Sequence, residues 1–364
     1  MNTAERMAEL ALQIGVILFA VRLGGRLVKK AGIPSVLGEL LAGVIIGPFA
    51  LGGLAFPGFP GGLFPLHEGS NLPVSIELYA FAALASVILL FVSGLETDLS
   101  LFLRYSVSGG VIGLGGVVFS FALGALTAMV LLKAPLADPR CLFMGLLATP
   151  TSVGITARIL SDKKKMDSPE GVTILAAAVF DDVLGIIALA LIIGAVGVIA
   201  GGGELNPAAL LGMGGRTFGI WLGFTALGLV FSARLARFLK LFKHSYDFSI
   251  LALGIALILA GIFEKQGLAM IIGAYVAGLS LSKTDIALVI EEKIRGLRDF
   301  FVPLFFAVMG MMVNIREIVS PPVLFFGAAY TVTGIVSKVA GCGGLALLMG
   351  FNHWVRGSNP RGGA

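Results

Sequence analysis

Charged residues are scarce in this 364-residue chain: they make up 13% of it, whereas hydrophobic residues make up 57%. So few charges cannot cover the surface of a water-soluble protein of this size, which excludes a soluble globular domain. No stretch alternates polar and apolar residues as a membrane-barrel strand would. The sequence therefore predicts an all-α polytopic membrane protein that spans the lipid bilayer.

Cysteine and histidine are rare as well, with two and three residues. Cys141 and Cys342 fall in predicted spans and form no disulfide framework. His67, His244 and His353 are scattered in predicted loops, so we expect no transition-metal centre and no bound cofactor. The net charge of +5 does not indicate a nucleic-acid partner, because the basic residues lie in short loops where they direct membrane topology.

Apolar runs predict eleven transmembrane spans. They lie near 7–28, 34–51, 74–95, 107–132, 140–160, 171–199, 213–234, 247–262, 267–282, 300–315 and 321–350. Acidic residues precede the first run and basic residues follow it, which is the reverse of a signal peptide, so we interpret it as a retained helix.

Lysine and arginine are distributed unequally between the two sides of this predicted topology. Of the 26, 19 lie on the side that holds the loops starting at 22, 96, 158, 234, 283 and 351, six lie on the other side, and Lys338 is inside a span. Positive residues are retained in the cytoplasm, so the asymmetry predicts an N-terminus outside the cell.

Two glycine motifs recur along the chain. The stretch 32–43 matches 267–278 at an offset of 235 residues, and 92–98 matches 308–314 at an offset of 216. The first elements of the two halves are seven spans apart, so they cross the membrane in opposite directions. The spacing predicts an inverted repeat, the architecture of many transporters.

The apolar stretch from Gly171 to Ala200 carries two charges, the neighbouring Asp181 and Asp182. A carboxylate near the bilayer centre costs about 2.5–3.5 kcal/mol on insertion scales, so the pair indicates a functional site. Adjacent helical residues point about 100° apart, so the two aspartates serve different partners. Burial and mutual repulsion favour a proton on one of them, exchangeable for a cation such as Na⁺ or Li⁺.

The preceding span contains a cluster of helix-breaking and hydroxyl residues. They are Thr149, Pro150, Thr151, Ser152 and Gly154. Proline lacks an N–H and disfavours helix in the residue before it, so we expect a helix break at Thr149, Pro150 and Gly154. Freed carbonyls and hydroxyls at this depth can coordinate a small cation, and a plain proline kink is the alternative.

Three other charged groups fall within or beside predicted spans. Lys338 is far from either end of its span, so we expect an aspartate partner rather than snorkelling to the interface. Glu39 either lines a transport interface or makes a helix-packing hydrogen bond. Glu96, Asp98 and Arg104 are predicted to form a solvated turn at the cytoplasmic edge.

Five motifs carry a family resemblance: PSVLGELLAGVIIGP, FVSGLETD, ATPTSVGITARIL, VFDDVLGI and SKVAGC, in this order. They resemble the bacterial Na⁺/H⁺ antiporters of the NapA type, in the monovalent cation:proton antiporter-2 branch of the cation/proton antiporter superfamily. The resemblance covers essentially the whole chain. The Asp-Asp pair after a Thr/Ser-rich broken helix is its most specific element.

The resemblance implies a fold, a function and roles for the site residues. It implies a non-enzymatic antiporter with a discontinuous crossing helix, a homodimer in the bacterial cytoplasmic membrane that exchanges Na⁺ or Li⁺ for protons by alternating access. By similarity, Asp182 binds the cation or protons, and Asp181 pairs with Lys338. Thr151 and Ser152 line the site.

The repeat and the resemblance together predict a division of the chain. It comprises a peripheral helix at 1–31, first-repeat panel helices at 32–106, first-repeat core helices at 107–200, linking helices at 201–266, second-repeat panel helices at 267–320 and the start of the second-repeat core at 321–364.

The family pattern continues after the lysine helix with a Pro-Arg-Gly-Glu segment and a last span. Here Gly363 stands at the glutamate position and the chain ends at Ala364. The repeat spacing also puts the partner of the interrupted helix beyond the last residue, so we expect the last two helices of the fold to be missing. The alternatives to Na⁺/H⁺ exchange are K⁺ efflux or K⁺/H⁺ antiport, and cation binding without transport.

Overall fold

The computed structural model describes residues 3–66, 72–97, 99–166, 168–200, 207–266 and 268–351. These residues are almost entirely helical and form no β-strand, which confirms the predicted all-α class. The helices are α1 Thr3–Lys30, α2 Ser35–Ile46, α3 Ile76–Leu95, α4 Leu99–Leu132, α5 Pro139–Leu147, α6 Val153–Asp162, α7 Pro169–Ala200, α8 Pro207–Lys240, α9 Ser245–Lys265, α10 Met270–Leu281, α11 Ala287–Met311, α12 Ile315–Ile318, α13 Pro321–Lys338 and α14 Gly344–Leu348. A 3₁₀ turn at Leu51–Gly53 and a π-helical segment at Val339–Gly343 complete the list.

Every predicted span overlaps at least one of these helices. Seven helices of the described part are long and apolar enough to cross a membrane, so the count of eleven crossings stays a prediction. Helix α11 begins at Ala287, well before the predicted start at 300. Its polar first half continues the helix outside the apolar run, where pairs such as Arg295 and Glu291, 3.9 Å apart, stabilise it.

The chain forms two compact units, which are described separately. Unit 1 comprises Met1–Leu99, Gly154–Met166 and Gly223–Leu324, and unit 2 comprises Ser100–Val153, Asp167–Leu222 and Phe325–Ala364. The chain passes from unit 2 to unit 1 directly after Val153, so α5 and nearly all of α6 belong to different units. These two units do not test the predicted division of the chain into two repeats, so its boundaries stay a prediction.

In unit 1, α2 crosses α11 with the two backbones in contact. A Cβ added to Gly43 would collide with the carbonyl oxygen of Ala307, and one added to Gly310 would collide with that of Leu40. Only glycine allows so close an approach, which is how helices pack tightly in lipid.

A second crossing in unit 1, between α10 and α3, has the same construction. A Cβ on Gly278 would collide with the carbonyl oxygen of Phe91, and one on Gly94 would collide with that of Tyr275. Gly278 and Tyr275 stand 235 positions after the α2 residues of the first crossing, and Phe91 and Gly94 stand 216 positions before its α11 residues. The two offsets read from the sequence therefore relate the two crossings contact by contact.

The prediction that Glu96 lies in a solvated turn at the end of α3 is wrong. Its side chain is 15% exposed and forms an ion pair with Arg298 of α11, with 2.8 Å between Oε1 and Nη1. The close α3–α11 packing in unit 1 brings this arginine over the helix end, which the local sequence does not indicate. Arg104 is exposed, as predicted, and Asp98 lies outside the described residues.

Candidate functional site

The helix that precedes the Asp-Asp pair is interrupted. Helix α5 ends at Leu147, residues 148–152 leave the helix, and α6 begins at Val153. At the end of α5 the Thr149 hydroxyl and backbone N–H both donate to the Leu146 carbonyl, each at 2.9 Å. Gly154, predicted as part of the break, lies instead within the first turn of α6, because Pro150 alone suffices to end the helix before it.

An aspartate outside the apolar run fixes where α5 starts. Asp138 is the N-cap: its carboxylate accepts from the Arg140 backbone N–H at 2.8 Å and from the Arg140 guanidinium. The hydrogen bonds from the Arg140 side chain and backbone lower the pKa of Asp138 to about 2. A carboxyl group whose pKa is lowered by folding stabilises the fold when the pH is above the ordinary pKa of the group. This contribution is lost as the pH falls towards 2.

Asp181 of α7 is buried and fully hydrogen-bonded. Its carboxylate is 4% exposed and accepts from Lys338 Nζ at 3.1 Å and 2.9 Å, one hydrogen bond to each oxygen. The hydroxyl and the backbone N–H of Thr151, in the interruption, also interact favourably with this carboxylate. Gly185, one turn further along the same face of α7, faces the Thr149 hydroxyl. This face of α7 therefore packs against the interruption.

Lys338 connects three elements of unit 2. It is the last residue of α13, and besides Asp181 it donates to the Thr149 carbonyl at 2.6 Å. That carbonyl belongs to the interruption, where it accepts no hydrogen bond from a helical N–H of the described residues. The Lys338 side chain is half-buried, and its ammonium needs such partners, since an unpaired charge within a membrane span is costly. The ion pair and the interruption therefore form one site.

Glycines of α4 bring the neighbouring helices of this site together. A Cβ on Gly113 would lie 2.8 Å from the Ala177 carbonyl oxygen of α7, and the Gly115 carbonyl oxygen would lie 2.6 Å from a Cβ on Gly341. Gly341 lies in the π-helical segment that follows Lys338, a distortion often found at functional sites. The glycine-rich face of α4 thus sets the spacing between α7 and the lysine helix.

A row of hydroxyl groups runs along α13 towards Lys338, and the sequence analysis missed it. Ser337 bonds Ser120 of α4 at 3.1 Å, Thr333 bonds Thr127 of α4 at 2.9 Å, and Tyr330 donates to the Met144 carbonyl of α5. Positions 330, 333 and 337 follow helical spacing, which was the available signal. These bonds hold α13 in register with α4 and α5.

The remaining predicted residues are placed as follows. Asp182 lies in α7, but its side chain is outside the described residues, and so is Gly363. Ser152 is exposed at the end of the interruption. Within the described ranges no three His, Cys, Asp or Glu side chains form a metal-binding group.

Comparison with known proteins decides the family. The transmembrane sodium/hydrogen exchanger family matches residues 15–356, which is nearly the whole chain. The chain belongs to the sodium/hydrogen exchanger family. The matched range of this exchanger includes α2 to α14, and with them the interruption, the Asp-Asp pair and Lys338.

Individual relatives agree with this membership. The exchanger is 32% identical to the high-affinity Na⁺/H⁺ antiporter NhaS3 of Synechocystis, over 92% of this chain and 76% of NhaS3. It is 31% identical to the Na⁺/H⁺-K⁺ antiporter GerN of Bacillus cereus, over 94% of this chain and 81% of GerN. The solved structure of the sodium proton antiporter MjNhaP1 of Methanocaldococcus jannaschii matches it with a TM-score of 0.65 at 18% identity, covering 94% of this chain and 79% of MjNhaP1. That structure supports the antiporter fold.

Proposed function

We propose that this chain exchanges Na⁺ or Li⁺ for protons by alternating access. We place it as a homodimer in the bacterial cytoplasmic membrane with its N-terminus outside. The observation that carries the proposal is the Lys338 ammonium, which bonds both the Asp181 carboxylate and the Thr149 carbonyl of the interrupted helix. Structural packing alone does not require two charges beside an unwound segment at membrane depth.

In the proposed mechanism the two neighbouring aspartates have different tasks. Asp181 accepts from Lys338 and Thr151, so its oxygens are already occupied. Asp182 follows it on α7, about 100° around the helix, and is proposed to bind the cation or the protons. One carboxylate that holds either ion, never both, couples the two fluxes, because each ion must leave before the other binds.

The interruption is proposed to supply further oxygen ligands. Thr151 and Ser152 lie in or next to the segment that leaves the helix, where hydroxyl and carbonyl oxygens are not consumed by helical bonds. Such hard ligands suit a monovalent cation. Lys338 restrains this segment through Thr149, so its position depends on the Asp181 ion pair.

The test uses purified protein in proteoliposomes that contain a pH-sensitive dye. We expect an imposed pH gradient to collapse when Na⁺ or Li⁺ is added, and Asp182→Asn to abolish the signal. Asp285→Asn, which removes an exposed carboxylate paired with Lys240, is the matched control and should exchange normally. Well-folded wild-type protein that gives no cation-dependent signal would refute the proposal, and cation binding without exchange would favour the non-transport alternative.

K⁺ exchange is the second candidate, because GerN, a relative over most of this chain, is named a Na⁺/H⁺-K⁺ antiporter. The same vesicles distinguish the two functions. A response to K⁺ that equals or exceeds the response to Na⁺ would make K⁺ a substrate of this chain.

A further inference from the structure

Glu39 of α2 is a buried carboxylate that the proposed exchange site does not use. It is 5% exposed, and its Oε2 atom has no hydrogen-bond partner. It follows Gly38, where α1 and α2 cross so closely that a Cβ on Gly24 would collide with the Gly38 carbonyl oxygen. The predicted helix-packing hydrogen bond is therefore absent at this oxygen. An orphan carboxylate oxygen in a packed helix crossing is costly and requires an explanation.

Arg158 of α6 carries a buried hydrogen-bond donor that also lacks a hydrogen-bond partner. Its Nε atom is buried and makes no hydrogen bond, although it lies 3.4 Å from Asp162 Oδ1. Among the charges that act on Glu39, Arg158 contributes most. Unit 1 thus contains a carboxylate oxygen and a guanidinium N–H that are opposite in charge, belong to groups that interact electrostatically, and are each without a hydrogen-bond partner.

The other charged groups around Glu39 are Asp162 of α6 and Arg22 of α1. Arg22 is exposed and donates from Nη2 to the Asp299 carbonyl at 2.9 Å, so it is held by α11. The Asp162 carboxylate is 42% exposed, and an ion pair so open to water binds its arginine weakly. Arg158 is therefore free to change partner at low cost.

We propose that Glu39 is a positioning residue for exchange, which draws Arg158 away from Asp162 and so fixes α6 against α2 in one state of the transport cycle. The inference rests on the proposed function. Ionised Glu39 needs the guanidinium, whereas protonated Glu39 does not, so the pairing depends on a proton. Helix α6 is joined directly to the interrupted segment at Val153, so the pairing acts on the ion site through the chain.

The transport test compares Glu39→Gln, Arg158→Gln and the double variant in proteoliposomes between pH 5.5 and 8.5. We expect each single variant to lower the maximal rate about fivefold, with the Na⁺ concentration for half-maximal rate changed less than about twofold. Glu39→Gln should flatten the pH dependence, and the double variant should be no slower than either single one. Glu39→Asp should restore part of both properties.

Two controls accompany these variants. Glu292→Gln removes an exposed carboxylate from α11 and should leave rate and pH profile unchanged. Asp162→Asn removes the competing partner, so it should not lower the rate. An unchanged rate in Glu39→Gln, or rate losses that multiply in the double variant, would overturn the proposal.

A stability measurement separates this inference from the proposed function, because it requires no ion gradient. We expect the melting temperature of the double variant in detergent to fall by less than the two single drops combined. If the wild type proves unable to exchange ions, this comparison still tests the pairing. Additive drops would show that Glu39 and Arg158 do not interact.

Discussion

At the scale of single residues, Asp181 shows what a carboxylate inside an apolar helix needs around it. The carboxylate of Asp181 is covered by Lys338, which donates one hydrogen bond to each of its oxygens, and by Thr151. Such a pair is costly to form in lipid and costlier to break, because removing one partner leaves a buried charge without compensation. We therefore propose that this pair holds the interruption in place, while the release of ions falls to Asp182.

Replacing Lys338 by methionine tests whether breaking the Asp181–Lys338 pair destabilises the protein. The substitution keeps the apolar stem but leaves Asp181 and the Thr149 carbonyl short of a donor, so we expect a loss of about 3–5 kcal/mol in the free energy of unfolding. The measurement is the melting temperature of purified protein in detergent. Asp181→Asn combined with Lys338→Met should recover part of the loss, and Lys265→Met, an exposed lysine of α9, should be neutral. Equal melting temperatures for Lys338→Met and wild type would contradict the geometry.

At the scale of elements, glycine decides which helices can touch. The α2–α11 and α10–α3 crossings both place a glycine against a carbonyl oxygen of the partner helix. In unit 2, the glycines of α4 do the same for α7 and for the segment after Lys338. Because lipid gives no hydrophobic force between helices, these close contacts and the hydroxyl bonds along α13 supply much of the association.

Alanine substitution at Gly43 and at Gly278 should show that the two crossings are equivalent. Each added Cβ meets backbone that cannot move aside, so we expect both variants to lose about 1–3 kcal/mol of stability, by similar amounts. Gly254→Ala in α9 is the matched control, because nothing lies within 4 Å of its Cβ. Alanine is favoured over glycine in a helix, so the control should be neutral or slightly more stable. Thermal unfolding of the three variants side by side is the measurement.

At the scale of the whole molecule, the distribution of basic residues determines the orientation in the membrane. The side that carries 19 of the 26 lysines and arginines is expected in the cytoplasm. The three lysines of the loop 163–165, which belong to this side, are exposed.

Cysteine labelling in cells tests the orientation. The background variant has Cys141 and Cys342 replaced by alanine. We expect an impermeant maleimide to label Leu54→Cys in intact cells, whereas it should label Lys163→Cys only after the membrane has been permeabilised. Both positions are exposed. The reverse pattern would place the N-terminus in the cytoplasm and contradict the prediction.

The sequence by itself determined the class, the family and the register of the repeat. Scarce charges in long apolar runs require helices in lipid, and proline at position 150 requires an interruption, since both follow from local backbone chemistry. The two glycine offsets also follow from the sequence, because each glycine is needed for one particular backbone contact.

Tertiary structure decided which charges meet, and one of these pairs alone was expected beforehand. Glu96 and Arg298 are 202 positions apart, Asp181 and Lys338 are 157 apart, and one carboxylate oxygen of Glu39 is buried without a hydrogen bond. Pairing over such distances depends on how helices cross, which local patterns do not encode. The Asp181–Lys338 partnership was expected from the family resemblance, whereas the burial of Glu96 and the orphan oxygen of Glu39 required the packed structure.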